Sequence, residues 1–337
     1  MLTGGGDCPG LNAAIRAIVR KGVGVHGHEL IGFEDGWRGV MEGEARELTV
    51  GSVQGILHRG GTILGSSGAN PYHEGGIERV RATFRDLGLE GLIVIGGEGT
   101  LGAAAHMAGE GLPVIGIPKT IDNDIQGTEA CIGFATAVQV ATDAIDRLHS
   151  TAESHDRLML VEVMGRSTGW IALHAGLAGG ADMILIPERP FDLEEVCWHL
   201  RARHLHGHSF SIVVVAEGAT PVEVSMLLPE YPVDERGFVR YGGIAHHLGP
   251  EMERSTGYET RVTVLGHVQR GGTPVAEDRI LATRFGVAAI DLATVGGWGR
   301  MVAVHGSEVV DVPIAEATKV RPVPEELYSV AEVFFDR

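Results

Sequence analysis

The sequence predicts an α/β protein with mostly parallel sheets covered by helices on both faces. Three observations carry that reading. Short apolar runs rich in Val, Ile and Leu alternate with helical patterns. The chain is 44% apolar, enough for sizeable buried cores. Its 50 glycines in 337 residues exceed the usual share of roughly 7%, and they gather in pairs and triplets where apolar runs end. Loops at such places let backbone approach a ligand, which in parallel sheets binds beyond the carboxyl ends of the strands.

Taken in order, only "MLT" precedes the first glycine loop, "GGGDCPG". The strand feeding that loop is expected to be stunted, and the natural start to lie further upstream. "LNAAIRAIVRKG" (11–22) has the helical period. "GLIVIGG" (91–97) and "LPVIGIPKT" (112–120) are buried strands running into loops. "FATAVQVATDAIDRL" (134–148) is a helix, "RLMLVEVMG" (157–165) a strand and "TGWIALHAGLAG" (168–179) a helix. "ADMILIPE" (181–188), "FSIVVVAEG" (210–218) and "TRVTVLGH" (260–267) are strands. "DLEEVCWHLRARHL" (192–205) and "DRILATRFGVAAIDLA" (278–293) are helices. The polar, proline-bearing segment 219–241 reads as a surface excursion, and no repeat is evident.

The formal net charge of −17 argues against a nucleic-acid binder, which needs a basic face. Cys8, Cys131 and Cys197 have no paired spacing, so neither a disulfide framework nor a zinc knuckle is expected. No apolar run reaches the ~18 residues of a membrane span, and no signal pattern opens the chain. A soluble, cytoplasmic protein without membrane partners is expected.

Two glycine loops open onto helices, at 3–14 and 96–105. Their backbone N–H groups suit phosphate oxygens, although neither is a Walker sequence and tight turns alone use such glycines. "PKTIDNDIQGT" (118–128) leaves a strand end with Lys119, Thr120, Asp122 and Asp124. By itself it reads as an Asx-rich turn. With Glu98, however, it gathers three carboxylates at two strand ends, a set able to hold one Mg²⁺ and to take one proton. Arg157, Arg166, Arg261, His267 and Arg270 flank strand ends, and the guanidinium fork fits phosphate. Glu217 is a sugar-hydroxyl partner or a helix cap. The run holding His199, His204, His206 and His208 lacks an accompanying carboxylate or Cys at ligand spacing and reads as a solvated helix end rather than a metal site.

Together, "GGDCPGLNAAIR", "GGEGT", "PKTIDND", "EVMGRSTGW" and "TRVTVLGHVQRGGTP" resemble the phosphofructokinase family in family order over most of the chain, with details most like its actinobacterial-type branch, where ATP and pyrophosphate users mix. The resemblance implies the phosphofructokinase fold, two Rossmann-like three-layer domains. One holds 1–133 and 269–319 and binds donor and Mg²⁺; the other holds 134–268 and 320–337 and binds the sugar phosphate, with the chemistry in the cleft between them. It implies an ATP-dependent 6-phosphofructokinase acting on fructose 6-phosphate in glycolysis, with Asp122 as base and Thr120 and Arg166 stabilising the phosphoryl group in flight. Asp124 and Glu98 would hold Mg²⁺, directly or through water. Gly5, Gly6, Gly97, Glu98, Gly99, Thr100 and Lys119 would line the donor site, and Trp37 stands near adenine or in the core. Arg157, Met164, Gly165, Glu217, Arg261, His267 and Arg270 would join Asp124 around the sugar phosphate. Arg157 and Arg261 would reach in from a neighbouring subunit, so a homotetramer or homodimer with shared sites is expected.

Gly99 favours ATP, because pyrophosphate users of the family carry an Asp there; Lys119 matches pyrophosphate users. The reversible pyrophosphate enzyme, and a weakened regulatory paralogue, are the alternatives. Glu98 replaces a family Asp, and Gly68 stands where an Arg commonly bridges the phosphates. Arg16 and Arg20 match basic effector positions, but His206 and His208 replace lysines, so the usual effector control is not expected unless it becomes pH-sensitive.

Overall fold

The structure is a computed structural model, and residues 1–72, 75–222 and 242–335 are described. Most of the expected surface excursion, from 223 to 241, lies outside the described residues. The chain forms two compact units, 1–136 with 270–321 and 137–269 with 322–337.

The first unit begins with β1 (Leu2–Thr3), α1 (Leu11–Lys21), β2 (Ile31–Phe33), α2 (Trp37–Glu42) and β3 (Ala45–Glu47). It continues with α3 (Gly76–Asp86), β4 (Leu92–Gly96), α4 (Glu98–Gly109) and β5 (Val114–Pro118). Helix α5 (Phe134–His155) carries the chain into the second unit. There follow β6 (Leu158–Val163), α6 (Trp170–Ala178), β7 (Met183–Leu185), α7 (Leu193–Leu205), β8 (Ser211–Ala216), α8 (Ile244–Thr256) and β9 (Thr260–Val264). The chain returns with α9 (Ala276–Thr294), β10 (Arg300–His305) and β11 (Glu308–Pro313), and α10 (Glu325–Glu332) ends in the second unit.

In the first unit the described strands form a sheet in the order β1-β4-β5-β10-β11, parallel except for β11. Strands β2 and β3 form a separate antiparallel pair. The second unit holds an all-parallel sheet in the order β7-β8-β6-β9. Every residue of β4, β5, β6 and β8 is buried, which is why these strands read as unbroken V/I/L runs. Leu92 and Val94 pack with Leu101 and Met107 of α4 and with Trp37 in the first core. Leu158, Leu160, Val213 and Val215 meet Ile244, Leu248 and Met252 of α8 in the second. Each such side chain adds about 1.5–3 kcal/mol when fully buried.

Several elements differ from the sequence reading. Helix α5 continues past its apolar pattern to His155. Helix α8 escaped notice because Gly249 and Pro250 interrupt its period, and Pro250 gives up a helical hydrogen bond inside it. The β10–β11 hairpin turns at Gly306 and Ser307, with Gly306 at φ +58°. Among the described residues no helix is long and apolar enough to cross a membrane.

Helices α1 and α9 pack closely through Gly286, where a Cβ would lie 2.7 Å from the Ala14 carbonyl oxygen. Gly286→Ala therefore opposes two effects. Helix propensity favours Ala by about 1 kcal/mol, and overpacking costs about 1–3 kcal/mol. The obstacle is backbone, so overpacking wins, and thermal unfolding should show a lowered Tm.

Candidate active site

Three strand ends of the first unit meet. Strands β1, β4 and β5 are neighbours, and their carboxyl ends release Gly4–Gly6, Gly97–Thr100 and Lys119–Asp124. The first loop is fixed by Gly4 N–H donating to Ile95 O at 3.0 Å and by the Ser66 hydroxyl donating to Gly5 O. Gly5 has φ +76°, a region open to glycine at little cost. Thr100 is buried against the loop, and a Cβ on Gly4 would lie 2.7 Å from its methyl carbon. Gly97 starts α4 with no side-chain cap, so the helix's first N–H groups and positive dipole end face outward beside exposed Glu98 and Gly99.

Lys119 is 2% exposed, and its ammonium donates to the Gly6 carbonyl. Burial holds it below the usual lysine value, so this cation is tied to the underside of the glycine loop. Arg270 lies over the same loop: a Cβ on Gly6 would sit 2.5 Å from its Nη1, which donates to Asp7 O at 3.4 Å. Arg270, expected around the sugar phosphate, belongs to the first unit and lies beside this loop.

The acidic strand end is crowded. Asp122 is buried and Asp124 half-buried. Burial, then the negative charges of Asp122 and Glu98, push the Asp124 carboxyl up to about 6 against a hydrogen bond from Thr120. The Asp122 N–H donates to Thr120 Oγ1 at 3.1 Å, so the turn reading holds, with the carboxylates gathered on that turn. Asn123, at φ +52°, anchors the turn. Its side chain accepts from Cys131 N–H at 2.9 Å and donates to Glu129 O at 3.2 Å. Behind it, fully buried Asp278 accepts from Gly133 N–H at 2.8 Å and Thr136 N–H at 2.7 Å. Sequence reasoning missed both anchors, because a lone Asn and a lone helical Asp carry no local signal.

Among the described residues no group of three or more His, Cys, Asp or Glu is disposed to hold a metal by itself. Mg²⁺ does not need one: it keeps several waters and takes one or two carboxylates plus phosphate oxygens. Glu98 and Asp124, with a carboxyl whose raised pKa a cation would lower again, fit that demand. Trp37 is 2% exposed, and its indole N–H donates to Thr100 O at 3.2 Å, so of its two readings the structure supports packing.

The second unit sorts its residues to two ends. Met164–Arg166 follow β6, Glu217 follows β8 and His267 follows β9, all at carboxyl ends. Buried Gln269 accepts from Met164 N–H at 3.3 Å, and Gly218 N–H donates to Gly165 O at 3.0 Å, so these loops touch. Arg166 and His267 are exposed and Glu217 is half-buried. Arg157 and Arg261 sit at the opposite, amino end. There Glu259 pairs with both, at 3.1 Å to Arg157 Nε and directly to Arg261, and these hydrogen bonds hold its carboxyl below the usual range. Six-residue β6 spans about 20 Å, so a strand's length separates these two arginines from the loops carrying Met164 and His267. His206 and His208 are exposed at the end of α7, and His204 stacks on Tyr258 with centroids 3.7 Å apart.

Comparison with known proteins follows the same motifs. The family model "Phosphofructokinase" matches residues 1–293. The chain belongs to the phosphofructokinase family. A phosphofructokinase relative from Amycolatopsis methanolica, named pyrophosphate–fructose 6-phosphate 1-phosphotransferase, is 55% identical over 99% of this chain and 98% of its own. ATP-dependent 6-phosphofructokinase 3 of Streptomyces coelicolor is 52% identical over 98% of each. The solved phosphofructokinase of Saccharomyces cerevisiae superposes with TM-score 0.80 at 31% identity, covering 99% of this chain and 46% of that longer one. The chain thus has the phosphofructokinase fold.

The raised Asp124 pKa has a sign that can be checked. A carboxyl raised from 3.8 to about 6 on folding contributes stability below pH 4 that is lost as pH rises through 6. Asp124→Asn should therefore melt higher than the parent at pH 7.5 in metal-free buffer, by at most about 3 kcal/mol. The difference should vanish near pH 4 in a pH series of melting curves.

Proposed function

We propose that the chain is an ATP-dependent 6-phosphofructokinase, moving the terminal phosphoryl group of ATP to O1 of fructose 6-phosphate in cytoplasmic glycolysis. The observation that supports it most is the cluster of carboxylates at the ends of β4 and β5, beside a glycine loop that Lys119 and Arg270 contact. Phosphoryl transfer asks a protein for alignment and charge neutralisation more than for covalent work.

In this reading Asp122 takes the proton from the sugar 1-hydroxyl as that oxygen attacks the phosphorus. Thr120 and Arg166 stabilise the phosphoryl group between donor and acceptor. Bare N–H groups of Gly97–Thr100 and the Gly4–Gly6 loop bind donor phosphates, Lys119 offsets their charge, and Arg270 holds the sugar phosphate. Glu98 and Asp124 would hold Mg²⁺, which would add charge neutralisation at the donor phosphates. Met164, Gly165, Glu217 and His267 seat the sugar. Arg157 and Arg261 serve the sugar phosphate of a neighbouring subunit, which agrees with their position at the far end of the sheet and supports a homotetramer or homodimer.

Overall identity does not separate the donors, since relatives named for each stand at 52–55%. Gly99 favours ATP. A Cβ there would meet nothing within 4 Å, so packing does not require the glycine, and the space suits an α-phosphate. Lys119 and the Amycolatopsis name favour pyrophosphate and the reversible reaction as the second reading.

An aldolase-coupled assay with fructose 6-phosphate, Mg²⁺ and either donor tests both. Turnover with ATP and little with pyrophosphate is expected; the reverse selects the second reading, and none with either leaves a regulatory paralogue. Asp122→Ser should cost about 10²–10⁴-fold in kcat with substrate KM nearly unchanged. Gly99→Asp should lower kcat/KM for ATP by roughly 30–100-fold and spare pyrophosphate, because like charges brought together cost a few kcal/mol.

A further inference from the structure

We infer that Arg321 is a positioning residue that holds the Asp122–Asp124 turn in its working shape; the inference rests on the proposed role of that turn. Segment 319–321 runs antiparallel to 124–126. Val320 bridges Ile125, Gln126 N–H donates to Lys319 O at 3.1 Å, and Arg321 N–H donates to Asp124 O at 2.8 Å. The Arg321 guanidinium then reaches around the turn. Its Nη1 donates to Glu129 O at 2.9 Å and to Asn123 O at 3.4 Å. Glu129 O also accepts from the Asn123 side chain, so Arg321 and Asn123 close one loop of hydrogen bonds on the turn that carries Asp122 and Asp124.

The sequence explains why the residue stays put. Pro322 follows, and a residue before proline is pushed to extended backbone, the conformation that this ladder needs. Arg321 is also the last residue of the first unit before the chain passes to the second. The carboxylates repel one another, and the turn carrying them has a non-glycine residue at positive φ. A cation that binds the carbonyls of Asn123 and Glu129 ties the turn to the segment that follows it. Lysine can bridge two carbonyls but lacks the rigid fork, so it replaces arginine only in part.

The test compares the full-length parent with Arg321→Ala and Arg321→Lys. Hydrogen–deuterium exchange of peptides within 119–131 is measured together with kcat and KM for sugar phosphate and donor. Arg321→Ala should exchange at least about tenfold faster in 119–131, with the rest of the first unit unchanged, and should lose about 10–100-fold in kcat with both KM values within about threefold. Arg321→Lys should recover part of each loss. Unchanged exchange in 119–131, or a fall in kcat that merely follows a lowered Tm, overturns the inference. Faster exchange in an enzyme that proves inactive on fructose 6-phosphate overturns the proposed function and leaves the positioning role standing.

Discussion

Mutual repulsion among Asp122, Asp124 and Glu98 sets the terms for the rest of the first unit. Burial, and then the negative charges of Asp122 and Glu98, disfavour ionisation of Asp124, as its raised pKa records. A cluster of this kind persists only when the backbone beneath it is over-determined. Parallel pairing of β4 with β5 fixes the two strand ends. Asn123 folds the turn, Asp278 secures the segment behind it, and the strand-like segment at 319–321 ties down its far side. In the proposed reading the strain has a chemical use, since a divalent cation and a proton arriving with the substrates would each relieve it.

The cations fall into two sets. Lys119 and Arg270 are bound to backbone carbonyls of the first glycine loop, so their charge is fixed in place. Arg157 and Arg261 share the carboxylate of Glu259 at the amino end of the second sheet. A strand's length lies between them and the loops carrying Met164, Glu217 and His267. In the proposed reading a second copy completes each site, and this division is what that reading needs.

Much of this was legible in the sequence, for a physical reason. Strands buried on both faces read as V/I/L runs, and the glycines and acids that end them mark the loops, so Asp122, Asp124 and Glu98 were found together. Elements without a clean period were not found. Helix α8 contains Gly249 and Pro250, and β11 alternates on an exposed edge. Single residues acting over long separations were also missed: Asp278 holds Gly133, and Arg321 holds Glu129. Trp37 illustrates the limit from the other side, since its motif allowed a ligand or a core role and only its burial chose.

The central claim is that the acidic turn receives a sugar hydroxyl while the glycine loop receives a phosphate. A crystal structure with fructose 6-phosphate, Mg²⁺ and an inert donor analogue tests it most directly. The account predicts the sugar 1-hydroxyl within about 3 Å of an Asp122 carboxylate oxygen, with donor phosphates on the N–H groups of Gly97–Thr100. Substrates bound with that hydroxyl against no carboxylate, or phosphates away from both glycine loops, would contradict it.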